Sequence, residues 1–69
     1  NPANDQCTVS LPGQYFDLAV YNLNGQKLVQ HAACYDRKDV RNEWGSGVYL
    51  VKVTAADGRQ LFKKLIFLQ

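Results

Sequence analysis

Hydrophobic and polar residues alternate along several short stretches of this chain, a pattern typical of β-strands that bury one face. The clearest stretch is residues 48–54, which follow a Gly-Ser-Gly turn ending at Gly47. Tyr49, Val51 and Val53 fall on one face of this predicted strand, because successive side chains of a strand point to opposite sides. Glycine tolerates the positive φ that a sharp entry turn requires. We therefore expect residues 48–54 to form a central strand.

A hairpin is predicted upstream of the central strand. Residues 15–22 alternate in the same way, and residues 26–33 are expected to return antiparallel to them. Asn24 and Gly25 between the two stretches form a strong hairpin-turn sequence. A two-residue turn predicts the pairs Val20 with Val29, Leu18 with His31, and Phe16 with Ala33. Three interpretations of His31 stay open: a partly exposed edge residue, a satisfied core residue, or a chemically active group.

The other predicted elements are less regular. Residues 7–11 are predicted to be a short edge strand that a Pro-Gly turn ends. Residues 35–43 carry six of the fourteen charged residues, so we expect an exposed connection there, with Val40 as its one inward anchor in a very short strand. Trp44 is expected to cover the open end of the core. Residues 60–68 follow an Asp-Gly turn and form the last predicted strand. The pattern does not decide which face of this strand is buried.

Together these elements predict a small all-β domain. Six short strands with frequent turns indicate an antiparallel β-sandwich, with an open barrel as the alternative. A chain of 69 residues, 46% of them hydrophobic, can build one small core. The net charge of +2 is too small and too dispersed to predict nucleic-acid binding. No apolar run approaches the roughly 18 residues of a membrane-spanning helix, so no transmembrane segment is predicted.

The ends of the chain indicate a part of a larger protein. The chain contains no methionine and no leader pattern, so we expect a processed product or an excised domain. Residues 1–6 are polar and include a proline, and we interpret them as a linker remnant. Residues 7–69 are the predicted domain.

Cys7 and Cys34 are the two cysteines, and three states stay open for them: a disulfide, two buried thiols, or part of a metal site. The disulfide is the favoured prediction, because a metal site would need more ligands than the nearby His31 supplies. A bridge would close a loop of about 28 residues and stabilise the fold by about 3.6 kcal/mol in the loop-entropy description. It would also place the protein in an oxidising compartment.

Motifs for catalysis or cofactor binding are missing from the sequence. The Gly-Ser-Gly turn does not fit the GxSxG nucleophile motif, because Trp44 and Val48 flank it. The GxGxxG pattern fails at Leu50. The carboxylates of residues 35–43 are interleaved with Arg and Lys, which argues against an acid–base pair. We therefore predict a non-enzymatic domain with no catalytic residues, no metal and no cofactor.

Three motifs, taken in chain order, resemble a known family. They are a Tyr-Asn-x-x-Gly hairpin followed by valine, a strand of the form GxYxxxV, and a last strand with a Lys-Lys pair before apolar residues. In this chain they comprise Tyr21, Asn22, Gly25 and Val29; then Gly47, Tyr49 and Val53; then Lys63, Lys64, Leu65 and Ile66. Over residues 16–69 the chain resembles the type A C-terminal sorting domain of the type 9 (Por) secretion system of Bacteroidetes-type bacteria.

This resemblance implies a fold and a function. The implied fold is an immunoglobulin-like β-sandwich of about six to seven short strands. The implied function is a secretion signal that directs an N-terminal passenger from the periplasm through the outer-membrane type 9 translocon, to the cell surface or the medium. A sortase-like surface transpeptidase usually then removes the domain and attaches the passenger. The residues implied in recognition by the machinery are Lys63, Lys64, Leu65, Ile66, Phe67, Leu68 and Gln69. The implied scaffold residues are Asn24, Gly25, Gly47, Tyr49, Val51 and Val53.

Two other functions stay open at this point. An adhesive or ligand-binding β-sandwich module would be marked by Tyr15, Tyr35 and Trp44 converging on one exposed patch. A structural capping domain would be marked by a large apolar interface with the passenger. An exposed last strand also predicts strand exchange between copies, which would give a dimer.

Overall fold

The computed structural model describes residues 2–3 and 5–68 of the chain. These residues form five strands: β1 (Pro2–Ala3), β2 (Gln6–Tyr21), β3 (Lys27–Arg41), β4 (Gly47–Ala55) and β5 (Gln60–Phe67). All five belong to one sheet with the order β1-β5-β4-β2-β3. The pairing is antiparallel except between β1 and β5. Within the described residues no helix is long and apolar enough to cross a membrane.

The all-β prediction is confirmed, but a sandwich of six to seven short strands is not shown. The main difference is that β2 and β3 have 16 and 15 residues. Residues 7–11 and 15–22 were expected to be separate strands, and a three-residue irregularity at positions 12–14 joins them into β2. Gly13 takes a φ of 68° there, and its N–H donates to Oδ1 of Asp36 at 2.9 Å. The Pro-Gly sequence therefore bends the strand without ending it, as a β-bulge does.

The charged stretch 35–43 is not an exposed connection, contrary to the prediction. As far as Arg41 it is the second half of β3, and residues 36–41 pair with residues 6–11 of β2. The hydroxyl of Thr8 donates to Oδ1 of the paired Asp39 at 2.7 Å. Val40 points inward and is only 1% exposed. The stretch therefore alternates as a strand does. Its many charged residues made this alternation hard to recognise in the sequence.

The β2–β3 hairpin has nearly the predicted register. The pairs Val20 with Val29 and Leu18 with His31 are confirmed. Phe16 pairs with Cys34 and not with Ala33, because β3 has an extra residue at this point and Ala33 adopts a φ of 55°. The loop is also longer than the predicted two residues. Beside the loop, Leu28 has no partner in the register and forms a second irregularity of β3. The two deviations compensate, so the central pairs keep the register that a tight turn predicted.

The core lies on one face of the sheet. The buried cluster comprises Phe16, Leu18, Val20, Cys34, Val40, Tyr49, Val51, Val53, Leu65 and Phe67. Cys7, Val9 and Leu11 pack against this cluster from partly buried positions. They lie in the part of β2 that makes no pairs with β4. The distal part of the hairpin bends back towards the core, because Val29 and His31 line one cleft with residues 38–41 of the same strand. β4 lies between β2 and β5 as the predicted central strand.

Candidate functional site

The two lysines predicted for recognition lie in the middle of β5. Lys63 and Lys64 are both exposed. On one side β5 pairs with β4 along its whole length. On the other side it pairs with β1 only at Ile66 and Phe67. Within the described part of the chain, the backbone edge at residues 60–65 has no strand beside it.

The apolar residues that follow the lysines divide between the core and the surface. Leu65 and Phe67 are buried, with 4% and 0% of their surface exposed. Ile66 is half-buried, and Leu68 is 51% exposed. This settles which face of the last strand is buried, because the two core residues are the odd-numbered ones. The predicted recognition residue Gln69 lies outside the described residues.

Tyr49 connects the entry turn of β4 to the C-terminal part of β5. Its hydroxyl donates to the carbonyl oxygen of Gly45 at 3.0 Å. Its ring centroid lies 5.9 Å from that of Phe67 and 5.6 Å from that of Trp44. Trp44 packs at this end of the core, 6.4 Å from Phe67, which agrees with its predicted role. These contacts link the GxYxxxV motif to the position of β5.

Gly47 lies beside this tyrosine with a φ of 155°. A Cβ at Gly47 would come 3.5 Å from Oη of Tyr49, which is ordinary van der Waals contact. The requirement for glycine therefore comes from the backbone conformation and not from a lack of space. Val51 and Val53, the other scaffold residues of β4, are buried beside Tyr49 in the core.

The β2–β3 turn is organised by Asn22, while the sequence-based prediction assigned it to Asn24 and Gly25. Oδ1 of Asn22 accepts the N–H groups of Asn24 at 2.9 Å and of Gln26 at 3.0 Å. Nδ2 of Asn22 also donates to the side chain of Gln26 at 2.8 Å. Gly25 has a φ of 85° and donates its N–H to the carbonyl of Asn22 at 3.0 Å. The tendency of asparagine to bond the backbone two residues on could have identified Asn22 from the sequence.

The three aromatic residues expected to mark an adhesive module belong to two separate ring clusters. Tyr15 and Tyr35 are 60% and 54% exposed, and their ring centroids lie 4.7 Å apart. Trp44 instead contacts Tyr49 and Phe67 at the end of the core. Among the described residues, the three aromatics expected to mark an adhesive module do not meet in one ring cluster. No observation on these aromatics favours that alternative function.

His31 lies half-buried on β3, the edge strand of the sheet, as the first of its three interpretations expected. It lines a shallow cleft together with Trp44, Lys38 and Glu43. Positive and negative side chains both line this cleft, so it has no clear preference for a charged ligand. No group of three or more metal-ligating side chains is found among the residues that the structure describes.

Cys7 and Cys34 are free thiols in the structure. Cys7 is half-buried and pairs with Val40, while Cys34 is buried and pairs with Phe16. Burial raises the pKa of the Cys34 thiol above its ordinary value; the positive charge of Lys38 opposes the increase, and the negative charge of Asp17 adds to it. A disulfide is not shown, so it stays a prediction.

Comparison with known proteins identifies the family. No curated protein and no solved structure was found to match the chain. The family model described as a secretion system C-terminal sorting domain matches residues 1–68. This match covers the β2–β3 turn, the GxYxxxV strand and the lysine pair of β5. The chain therefore belongs to the family of type 9 secretion system C-terminal sorting domains.

Proposed function

We propose that this domain is a non-enzymatic address that directs an N-terminal passenger from the periplasm through the outer-membrane type 9 translocon. The observation that carries the proposal is the family match over residues 1–68. The family is in general non-catalytic. Its members belong to secreted or cell-surface proteins that pass through the periplasm and use the type 9 machinery. Such a role requires a stable surface that the machinery can bind.

β5 is the proposed contact for this machinery. Lys63 and Lys64 are exposed and, as neighbours in a strand, point to opposite faces. Leu65 and Phe67 hold the strand in the core. The backbone edge at residues 60–65 can pair with an extended segment of a partner by β-augmentation. The lysines would limit indiscriminate edge pairing and favour an acidic partner.

The proposal also covers the fold class and the processing of the passenger. The part of β2 that folds over the core supports an immunoglobulin-like sandwich as the description of this bent sheet. After transport, a sortase-like surface transpeptidase removes the domain and joins the passenger to the cell surface. The open edge of β5 makes a strand-exchanged dimer a further part of the proposal.

Export of a reporter passenger fused to this domain tests the role of β5. Deletion of residues 65–69 is a poor test, because it removes the buried Leu65 and Phe67 and would unfold the domain. The double variant Lys63→Ala with Lys64→Ala changes only exposed side chains. We expect surface display of the reporter to fall by at least about tenfold, which corresponds to about 1.4 kcal/mol of lost binding. The reporter should accumulate in the periplasm.

A matched control replaces two exposed cations of β3, Lys27→Ala with Arg37→Ala, and should be exported normally. Melting curves by circular dichroism should show that both double variants fold. Normal display of the folded Lys63→Ala, Lys64→Ala variant would contradict the role of β5. Normal display of a passenger that lacks the whole domain would contradict the sorting function itself.

A further inference from the structure

The face of the sheet that points away from the core carries an apolar and basic surface. On β4 and β5 this face holds the even-numbered residues, because the odd-numbered ones supply the core. We define the outer face as Tyr21, Leu50, Lys52, Phe62, Lys64 and Ile66. In the register, Leu50 is opposite both Tyr21 and Lys64, and Lys52 is opposite Phe62. The six residues therefore form one continuous surface across three strands.

The apolar part of the outer face is unusually open for a small domain. Phe62 is 66% exposed and Leu50 is 39% exposed. Tyr21 and Ile66 are half-buried beside them, and the exposed Leu68 follows Ile66 in the chain. Single exposed apolar residues are normal on a protein surface. Apolar side chains that are contiguous across neighbouring strands mark an interaction site instead.

The charged part of the outer face has one sign. Nζ of Lys52 lies 5.7 Å from the ring centroid of Tyr21, and Lys64 stands in the neighbouring row. Among the described residues, the two rows that hold these lysines contain no carboxylate. Asp17 lies one row beyond Lys52, and its Oδ1 accepts the N–H of Ala33 at 2.9 Å. The positive charge is therefore not neutralised within the outer face.

We propose that the outer face docks a protein surface that presents apolar side chains flanked by carboxylates. The inference rests on the proposed function, because this partner would be a component of the secretion machinery. It shares Lys64 with the β5 contact and differs from it because the outer face offers side chains of three strands and not a backbone edge. Carboxylates on the partner would complement Lys52 and Lys64, while its apolar groups would cover Phe62 and Leu50.

Two other occupants fit the outer face less well. A second copy of the domain would bring lysines against the same lysines, because a symmetric dimer uses the same patch on both subunits. Such like-charge contact is costly. A membrane surface is also a weaker candidate, because two lysines fall short of the roughly four to eight basic residues typical of clusters that bind anionic lipids.

Photo-crosslinking of the whole fusion protein in the secreting bacterium tests the proposal. One variant carries p-benzoylphenylalanine at position 62, and its control carries the same group at position 23, where Leu23 is 68% exposed in the β2–β3 turn. We expect position 62 to crosslink to peptides with Asp or Glu beside apolar residues, at a yield at least about tenfold above that of position 23. Adding Lys52→Glu should lower the yield at position 62 by about tenfold, because the charge complementarity is lost.

A second experiment leaves residues 63–69 unchanged. Leu50→Ser with Phe62→Ser should reduce display of the reporter by at least about tenfold, the loss expected when an aromatic anchor is removed, while Leu23→Ser leaves display unchanged. Normal display of the folded double variant would overturn the inference. So would equal yields at positions 62 and 23, or crosslinks only to lipid or to another copy. These results would leave the sorting role intact, because display of a passenger that lacks the whole domain decides that role separately.

Discussion

The two halves of the β2–β3 hairpin differ in how the rest of the molecule supports them. In the half near the turn, residues 16–21 also pair with β4, and Phe16, Leu18 and Val20 are at most 2% exposed. In the distal half, residues 6–11 pair only with residues 36–41. Each strand of the distal half therefore leaves its other edge without a strand among the described residues. One continuous hairpin thus contains a well-supported part and a weakly supported part.

This difference indicates where the fold opens first. The distal half has one fully buried anchor, Val40, and otherwise contributes partly buried side chains and exposed charges. Local openings occur where buried apolar contacts are few and backbone hydrogen bonds are exposed to solvent. β5 pairs with β4, and the other edge of β4 pairs with the well-supported half of the hairpin. The proposed recognition strand is therefore held by the most stable part of the sheet.

Truncating one buried side chain in each half should give the largest changes in the free energy of unfolding. Phe16→Ala is expected to cost about 3–5 kcal/mol, a large share of the roughly 3–10 kcal/mol expected for a domain of this length. Val40→Ala should cost about 2 kcal/mol, because it removes less buried apolar surface. Urea unfolding followed by the fluorescence of Trp44 measures both values. Leu23→Ala, in the exposed turn, is the matched control and should be near neutral.

Hydrogen exchange in the Val40→Ala variant tests the same difference in stability between the two halves. The amides of residues 36–41 should lose protection, while those of residues 16–20 should keep most of theirs, because only the distal half loses its anchor. An equal loss of protection in both halves would show that the hairpin opens as one unit. The two halves would then be equally supported, contrary to our interpretation.

Substitutions at the bend between the two halves should have an intermediate effect on the free energy of unfolding. Asp36 has a φ of 69°, and its Oδ1 accepts the N–H of Gly13 at 2.9 Å. Asp36→Ala loses this acceptor and places alanine in the left-handed region, which together should cost about 1–2 kcal/mol. Asp36→Asn retains an acceptor and tolerates this φ, so its melting temperature should stay closer to the parent. Equal losses for both variants would exclude the hydrogen bond and the backbone conformation as the cause.

Substitutions of the two cysteines should have the smallest effect on stability. Cys7 lies half-buried in the distal half and should react with iodoacetamide at pH 8 before the buried Cys34. The pKa of Cys34 is raised in the fold, so its contribution to stability is complete below the unfolded pKa of about 8.5 and is lost as the pH rises from that value through the folded pKa. Cys34→Ala should remove this alkaline decline, and Cys7→Ala should retain it. A native mass two hydrogens lower than that of the reduced chain would instead show a disulfide.

The sequence-based predictions succeeded where the determining interactions are local. Period-two alternation identified the buried face of β4 at Tyr49, Val51 and Val53, and the Asn-Gly sequence identified the hairpin with its central pairs. The predictions failed at the Pro-Gly sequence and at the charged stretch 35–43. At the Pro-Gly sequence, a bulge and a turn use the same residue types, and only the pairing with the partner strand determines which of them forms. The role of Asn22 was also missed, because the turn is longer than the two-residue form.

The candidate site divides in the same way. The order of the three motifs led to the family, which the match over residues 1–68 confirms. The same motifs could not decide that Leu65 and Phe67 are buried while Lys63 and Lys64 are exposed. They also gave no sign that Phe62 and Leu50 stand together on the outer face. These two residues belong to different strands, so their placement in adjacent rows depends on the register between β4 and β5.

The sequence alone specifies the all-β character of the chain, its main turn and its central strand, because each of these depends on residues close together in the chain. The family follows from the order of three such local motifs. The tertiary structure decided which segments join into long strands, which face of β5 enters the core, and which apolar residues stay exposed. A strand with apolar residues on both sides can bury either one. The choice follows from what packs against it, here Tyr49 of β4 and the cover that Trp44 provides.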